Sequence, residues 1–106
     1  MATMNMTRGE WEGRALQLAE DNHLDGTARW LGHEGEAICW EVPSRDRSHE
    51  YVVTYNAHTH AVMCPCTAGS FGRPCCHAGV VVRVLRQRAS AYAQAARDYG
   101  HGRASA

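Results

Sequence analysis

The segment Cys64-Pro-Cys66-Thr-Ala-Gly-Ser-Phe-Gly-Arg-Pro-Cys75-Cys76-His77 gathers four of the five cysteines of a 106-residue chain beside a histidine. An odd cysteine count is a poor disulfide framework. The first dozen residues are polar and end in charge, which is no signal peptide. A metal site is the better fit. Cys64 and Cys66 are two apart, as are Cys75 and His77, and residues i and i+2 of an extended segment point to the same side. Each pair therefore offers two ligands to one ion. The eight-residue linker between the pairs, with two Gly and a Pro, can fold one pair over the other.

Three thiolates and one imidazole make a closed tetrahedral Zn2+ site, and zinc suits soft sulfur donors. One structural Zn2+ is expected, held by Cys64, Cys66, Cys75 and His77. A closed shell leaves no position for a substrate water, so metal catalysis is not expected. The competing reading makes Cys75-Cys76 a vicinal redox pair and Cys64/Cys66 a reactive dithiol. No catalytic His/Asp framework or thioredoxin-like pattern accompanies them. Spacing to His77 favours Cys75, because adjacent residues diverge in an extended segment, and Cys76 stands as the alternative ligand. Cys39 alternates with Ala37 and Glu41 and reads as an unliganded thiol.

Such a staple matters here. The chain has five Leu, one Ile and one Phe, so its apolar core is modest. Zinc binding to finger peptides is worth roughly 10–16 kcal/mol, against ~5–15 kcal/mol for a whole domain. Residues 1–106 make one domain. No apolar run approaches the ~18 residues that cross a bilayer. A cytoplasmic protein without membrane partners is expected.

Local patterns outline an α+β fold. Thr7-Arg-Gly-Glu10 is a capping box, and Trp11, Ala15 and Leu18 continue at helical spacing, which predicts a helix over 8–22. Strands are predicted over 27–31, 36–42 and 50–55, with a short one ending at Met63 and a turn at Gly32-His-Glu-Gly35. Ala78, Val81, Val82, Leu85, Ala89, Tyr92 and Ala96 recur at threes and fours, which predicts a C-terminal helix. Its Val80-Val-Val82 run leans towards β structure, so the first turn is its weakest part. Residues 1–6 and 100–106 read as tails. The expected architecture is a small antiparallel sheet of three or four strands, preceded by a helix and followed by a zinc knuckle that leads into the C-terminal helix.

Tyr51-Val-Val-Thr, then Cys64-x-Cys66, a short linker and Arg73-Pro-Cys75-Cys-His77-Ala-Gly-Val-Val resemble the SWIM zinc finger, of a small bacterial, phage or mobile-element type. That pattern is C-x-C, a variable linker and C-x-H on a strand–strand–helix unit. Val42-Pro-Ser44 is similar to the lead-in strand of bacterial members. The likeness covers residues 36–85, about half of the chain. It implies that Cys64, Cys66, Cys75 and His77 are the zinc ligands, and that DNA or protein is bound.

Charge points the same way. The chain is neutral overall, but residues 1–50 carry ten acids and five Arg, net −5, and residues 51–106 carry six Arg and one acid, net +5. Arg73, Arg83, Arg86 and Arg97 are candidate phosphate contacts, Arg83, Arg86 and Arg97 falling opposite the apolar stripe. A solvated helix face is the plain alternative. The acidic half can equally pair with the basic half of another copy or mask it. His58 and His60 read as exposed turn residues rather than a second metal pair. Trp30 and Trp40 read as core, and Phe71 as a lid over the thiolates. No glycine-rich phosphate loop, carboxylate pair or nucleophile elbow is present. The expected function is a non-catalytic, zinc-stabilised module that binds nucleic acid, with a protein-interaction adaptor as the alternative. No small-molecule substrate is expected.

Overall fold

A computed structural model describes residues 6–104, and the side chains of residues 6–97. The elements run α1 (Arg8–Asp21), β1 (Arg29–Glu34), β2 (Ala37–Pro43), β3 (Glu50–Asn56), β4 (Val62–Met63), α2 (Thr67–Ser70) and α3 (Cys76–Ala104). The fold is α+β, as the patterns predict. The expected tails at 1–5 and 105–106 lie outside the described residues. At the other edge of its tail the expectation fails, because α3 continues through Gly100 to Ala104.

The capping box forms as read. The Thr7 hydroxyl accepts from the Glu10 amide, and the Thr7 amide donates to the Glu10 carboxylate, each at 3.1 Å. This stops the first turn of α1 from fraying. The sheet is antiparallel throughout, in the order β1-β2-β3-β4. Val42 faces Tyr51 and Trp40 faces Val53 across β2 and β3, so the predicted alternation builds one core face.

The first hairpin differs from expectation. β1 runs on to Glu34, and the turn shrinks to Gly35 and Glu36, with Gly35 at φ 61°. Gly32, at φ 126°, serves a bulge between Trp30 and the next pairing instead of a turn. Trp30 then lies opposite Trp40. Trp40 is buried, but Trp30 is 52% exposed. The reason is position: β1 is a sheet edge, and α3 lies over β2, β3 and β4.

α1 forms the outer layer, on α3. Gly79 makes that possible. A Cβ there would stand 1.9 Å from the Ala15 carbonyl oxygen and 3.0 Å from Ala19 Cβ. Without one, the two helices approach closely over the buried Ala15 and Ala19. The valine run beside it is wholly buried, and that burial overrides its weak helix preference. Arg83 reaches Glu20 at 4.0 Å and Asp25 at 3.7 Å, and Arg86 reaches Glu12 at 3.1 Å. At these positions the basic half pairs with the acidic half within one chain. Among the described residues, no helix is long and apolar enough to cross a membrane.

Candidate metal centre

β4 delivers the chain to Cys64. Cys66 caps α2, and its Sγ accepts a hydrogen bond from the Gly69 amide at 3.3 Å. The chain returns to Cys75, immediately before α3, whose Sγ accepts from the Ala78 amide at 3.3 Å. His77 lies in the first turn of α3. Cys64, Cys66, Cys75 and His77 are all buried, with their donor atoms within 4.8 Å of one another. A tetrahedron with Zn–S bonds of ~2.3 Å has edges of about 3.8 Å, so closure onto an ion needs shifts of about 1 Å or less. The four are compatible with one bound metal ion.

The linker is more ordered than its Gly/Pro content suggests. It contains the short α2, which no periodicity signals at four residues. Ser70 donates through its amide to the Cys66 carbonyl at 2.8 Å and through its hydroxyl to the Pro65 carbonyl at 3.2 Å. A Cβ at Gly69 would stand 2.1 Å from the Cys64 carbonyl oxygen, so only glycine lets α2 fold back on the first ligand. Trp11 of α1 donates its indole N–H to the Gly72 carbonyl at 3.0 Å, tying the loop to the N-terminal helix. Nothing in the spacing marks Gly69 or Trp11 for these roles, because both are tertiary contacts.

The electrostatics favour a cation at the centre. Cys64 holds Cys75 in a sulfur–sulfur hydrogen bond, which lowers the Cys75 thiol to about 4 although burial opposes this. The same bond, with burial, pushes Cys64 far above the ordinary thiol range. Burial disfavours the charged His77 imidazole, but the Cys75, Cys76 and Cys66 sulfurs outweigh it and raise the group to about 10. Neither His77 nitrogen has a partner that meets full hydrogen-bonding geometry. Buried polar atoms without partners are rare in folded proteins, and a metal ion would satisfy one of the two. Backbone N–H donors to Cys66 and Cys75 are the outer support that thiolate ligands need.

Tyr51 on β3 packs its ring on the His77 imidazole at 4.5 Å and so helps to orient it. His49 meets Tyr51 in an edge arrangement with ring centroids 4.8 Å apart. The β2–β3 loop is shaped by Asp46, which accepts from the Ser44 and Ser48 hydroxyls at 2.7 Å each. Those bonds, with one from the Ser48 amide, hold its carboxyl well below the usual range. A cavity of about 690 Å³, lined by Arg45, His49, Tyr51 and His77 among others, opens beside the cluster and offers an ion an entry path.

Cys76 is buried in the apolar core and does not belong to the four-donor group. Cys39 is buried on β2, and all five cysteines are free thiols. His58 and His60 are exposed, as expected, with His60 Nδ1 2.7 Å from the Tyr55 hydroxyl. Phe71 is no lid: it is 71% exposed, because the tight turn at Gly72 (φ 72°) aims the loop tip at solvent.

The four arginines do not form one patch. Arg73 stands at the loop tip, its guanidinium 5.7 Å from the Phe71 ring centroid. Arg83 and Arg86 pair with Glu12 and Glu20 of α1 and with Asp25 just beyond it, Arg86 staying partly open to solvent. Arg97 lies on the outer part of α3, about 32 Å along the helix from Cys76 at ~1.5 Å per residue, and bonds to Gln94 at 2.7 Å. No protein-family model matches this chain, no curated protein matches it and no solved structure matches it, so the likeness to the SWIM finger is carried by its own residues alone.

Proposed function

We propose that the chain is a non-catalytic binding module of the SWIM zinc-finger type, folded around one structural Zn2+ on Cys64, Cys66, Cys75 and His77. The observation that carries this is the buried convergence of three sulfurs on a histidine whose nitrogens have no other partner. Zinc would supply cross-linking: it joins the end of β4, the cap of α2 and the start of α3. With four protein ligands it has no place for a reacting water, which makes the role structural. Free thiols suit a reducing compartment such as the cytoplasm.

The partner in this reading is nucleic acid, met at the loop tip. An exposed Phe71 beside Arg73 pairs a stacking platform with a phosphate contact. Arg97 is a further outward cation, while Arg83 and Arg86 serve chiefly to hold α3 on α1. Those three ion pairs occupy two of the four arginines and favour the second reading, a protein adaptor, in which Phe71 is an apolar anchor.

Metal analysis of the purified chain is expected to find one zinc per chain, with structure lost on chelation. A folded chain that carries no metal sinks the zinc reading. Mobility-shift titration at low salt is expected to show binding that weakens with salt and with Phe71→Ala or Arg73→Ala. No shift at low salt removes the nucleic-acid reading and leaves the adaptor.

A further inference from the structure

The two halves of the metal site hang on different parts of the fold. Cys64 and Cys66 stand at the end of β4 and the cap of α2, and α2 is fastened to them. Ser70 bonds to the Cys66 and Pro65 carbonyls, and the Gly69 amide bonds to Cys66 Sγ. Cys75 and His77 belong with α3: the Gly79 amide donates to the Cys75 carbonyl and the Ala78 amide to its Sγ. Between the halves runs the loop tip, Phe71-Gly72-Arg73-Pro74. Its amide bonds all point back to α2. Phe71 and Arg73 donate to the Ala68 carbonyl at 3.1 and 3.0 Å, and Gly72 donates to the Gly69 carbonyl at 3.0 Å. Pro74 has no N–H to give. The tip is thus tied to the first half, and only the chain through Pro74 leads on to the second.

One hydrogen bond crosses that gap, from the Trp11 indole N–H to the Gly72 carbonyl at 3.0 Å. Among the described residues, every other hydrogen bond of residues 67–74 ends within residues 64–75. Trp11 itself is seated on the second half. Its helix lies on α3, with the Ala15 carbonyl against Gly79, two positions past His77. Glu12, next to Trp11, holds Arg86 of α3 at 3.1 Å. A cavity of about 520 Å³ has Trp11, Cys64, Gly69, Gly72 and Cys75 in its walls, so α1 bounds the surroundings of the site.

We propose that Trp11 is a positioning residue for the metal. Through its bond to Gly72 it sets the separation of the Cys64/Cys66 pair from the Cys75/His77 pair before an ion arrives. This role rests on the zinc reading of the site. Ligands that are already placed lose less freedom when the ion binds, and the gain appears as affinity. Metal–ligand distances tolerate only about ±0.2 Å, so a small drift of the linker matters. Trp11 lies outside residues 36–85, the stretch similar to the SWIM finger. The metal-binding unit of this chain is therefore larger than that stretch and includes α1.

The test is Trp11→Phe in the full-length chain, which keeps an aromatic ring and removes the N–H. Competition with a chromophoric chelator should show zinc bound about tenfold more weakly, the lower end of what outer support contributes. Cobalt(II), standing in for zinc, reports ligand geometry in its d–d bands, and these should shift or weaken in Trp11→Phe. Leu24→Ala is the comparison. It empties a buried site just past the other end of α1 and lowers the melting temperature, but leaves the indole bond in place. Its cobalt bands should match those of the natural chain. Natural zinc affinity in Trp11→Phe overturns the proposal. So does a Leu24→Ala spectrum altered in the same way, since the effect is then one of general stability. A natural chain that binds no zinc removes the zinc reading and this role together, whereas equally tight binding by the natural chain and Trp11→Phe removes this role alone.

Discussion

Gly69→Ala tests whether the loop is built for a metal, because it alters no ligand. Gly69 has no left-handed backbone to protect, so only space forbids a side chain. The added Cβ would stand 2.1 Å from the Cys64 carbonyl oxygen and 3.0 Å from Cys64 Cβ. A Cβ needs about 3 Å from such a neighbour, so α2 and Cys64 must separate by about 1 Å. The nearest atom is a backbone carbonyl oxygen and cannot rotate away. Metal–ligand distances tolerate only about ±0.2 Å. The separation also strains the Gly69 N–H bond to Cys66 Sγ. Changes in such outer support alone cost about 10–100-fold in affinity. A ligand displaced with its backbone should cost at least the upper figure, about 2.8 kcal/mol at ~1.4 kcal/mol per tenfold. The helix gain from Gly to Ala, at most about 1 kcal/mol, does not offset this in a four-residue helix. Competition with a chromophoric chelator measures the affinity for zinc. Gly13→Ala, with nothing within 4 Å of its Cβ, is the control and should bind as the natural chain does. Binding by Gly69→Ala at the natural affinity would refute the reasoning.

Cys75→Ser is expected to abolish stoichiometric zinc while Cys76→Ser keeps it, and metal analysis showing the reverse would reassign the ligand. Metal-free, Cys64 and His77 both hold protons at pH 7, since the one is raised far up and the other to about 10. An ion displaces at least these two, so zinc affinity should fall about a hundredfold per pH unit of acidification. A flat pH profile would show that the donors carry no protons to lose. Gly79→Ala should lower the melting temperature, because the Cβ, 1.9 Å from the Ala15 oxygen, forces α1 and α3 apart. Overpacking of this kind costs ~1–3 kcal/mol, less up to ~1 kcal/mol of helix preference. Trp40→Ala, which empties the largest buried site, should cost ~3–5 kcal/mol in denaturant unfolding.

The donor set was legible because close spacing and the chemistry of thiolates are local facts. The extended-chain argument for Cys75 over Cys76 does not hold: Cys76 and His77 open α3, and it is the turn of that helix into the core that takes Cys76 away and leaves Cys75 with the cluster. The capping box at Thr7, the alternation through Ile38, Trp40 and Val42 and the stripe of α3 are local as well; α1 and β2 formed within a residue of their predicted bounds, while α3 ran on past Gly100 to Ala104. What periodicity could not carry was which faces find cover. Trp30 and Trp40 have the same kind of neighbours in sequence, yet one is at an edge and the other beneath a helix. From its place in the loop Phe71 reads as a lid, but a turn at Gly72 sends it outwards. Arg83 and Arg86 read as a free basic face until α1, more than sixty positions away, placed its acids beside them. The residue types and spacings alone picked out the candidate metal donors and the elements that carry them. Tertiary structure decided the neighbours, because burial and charge pairing depend on what packs across from a residue, and that distance along the chain does not reveal.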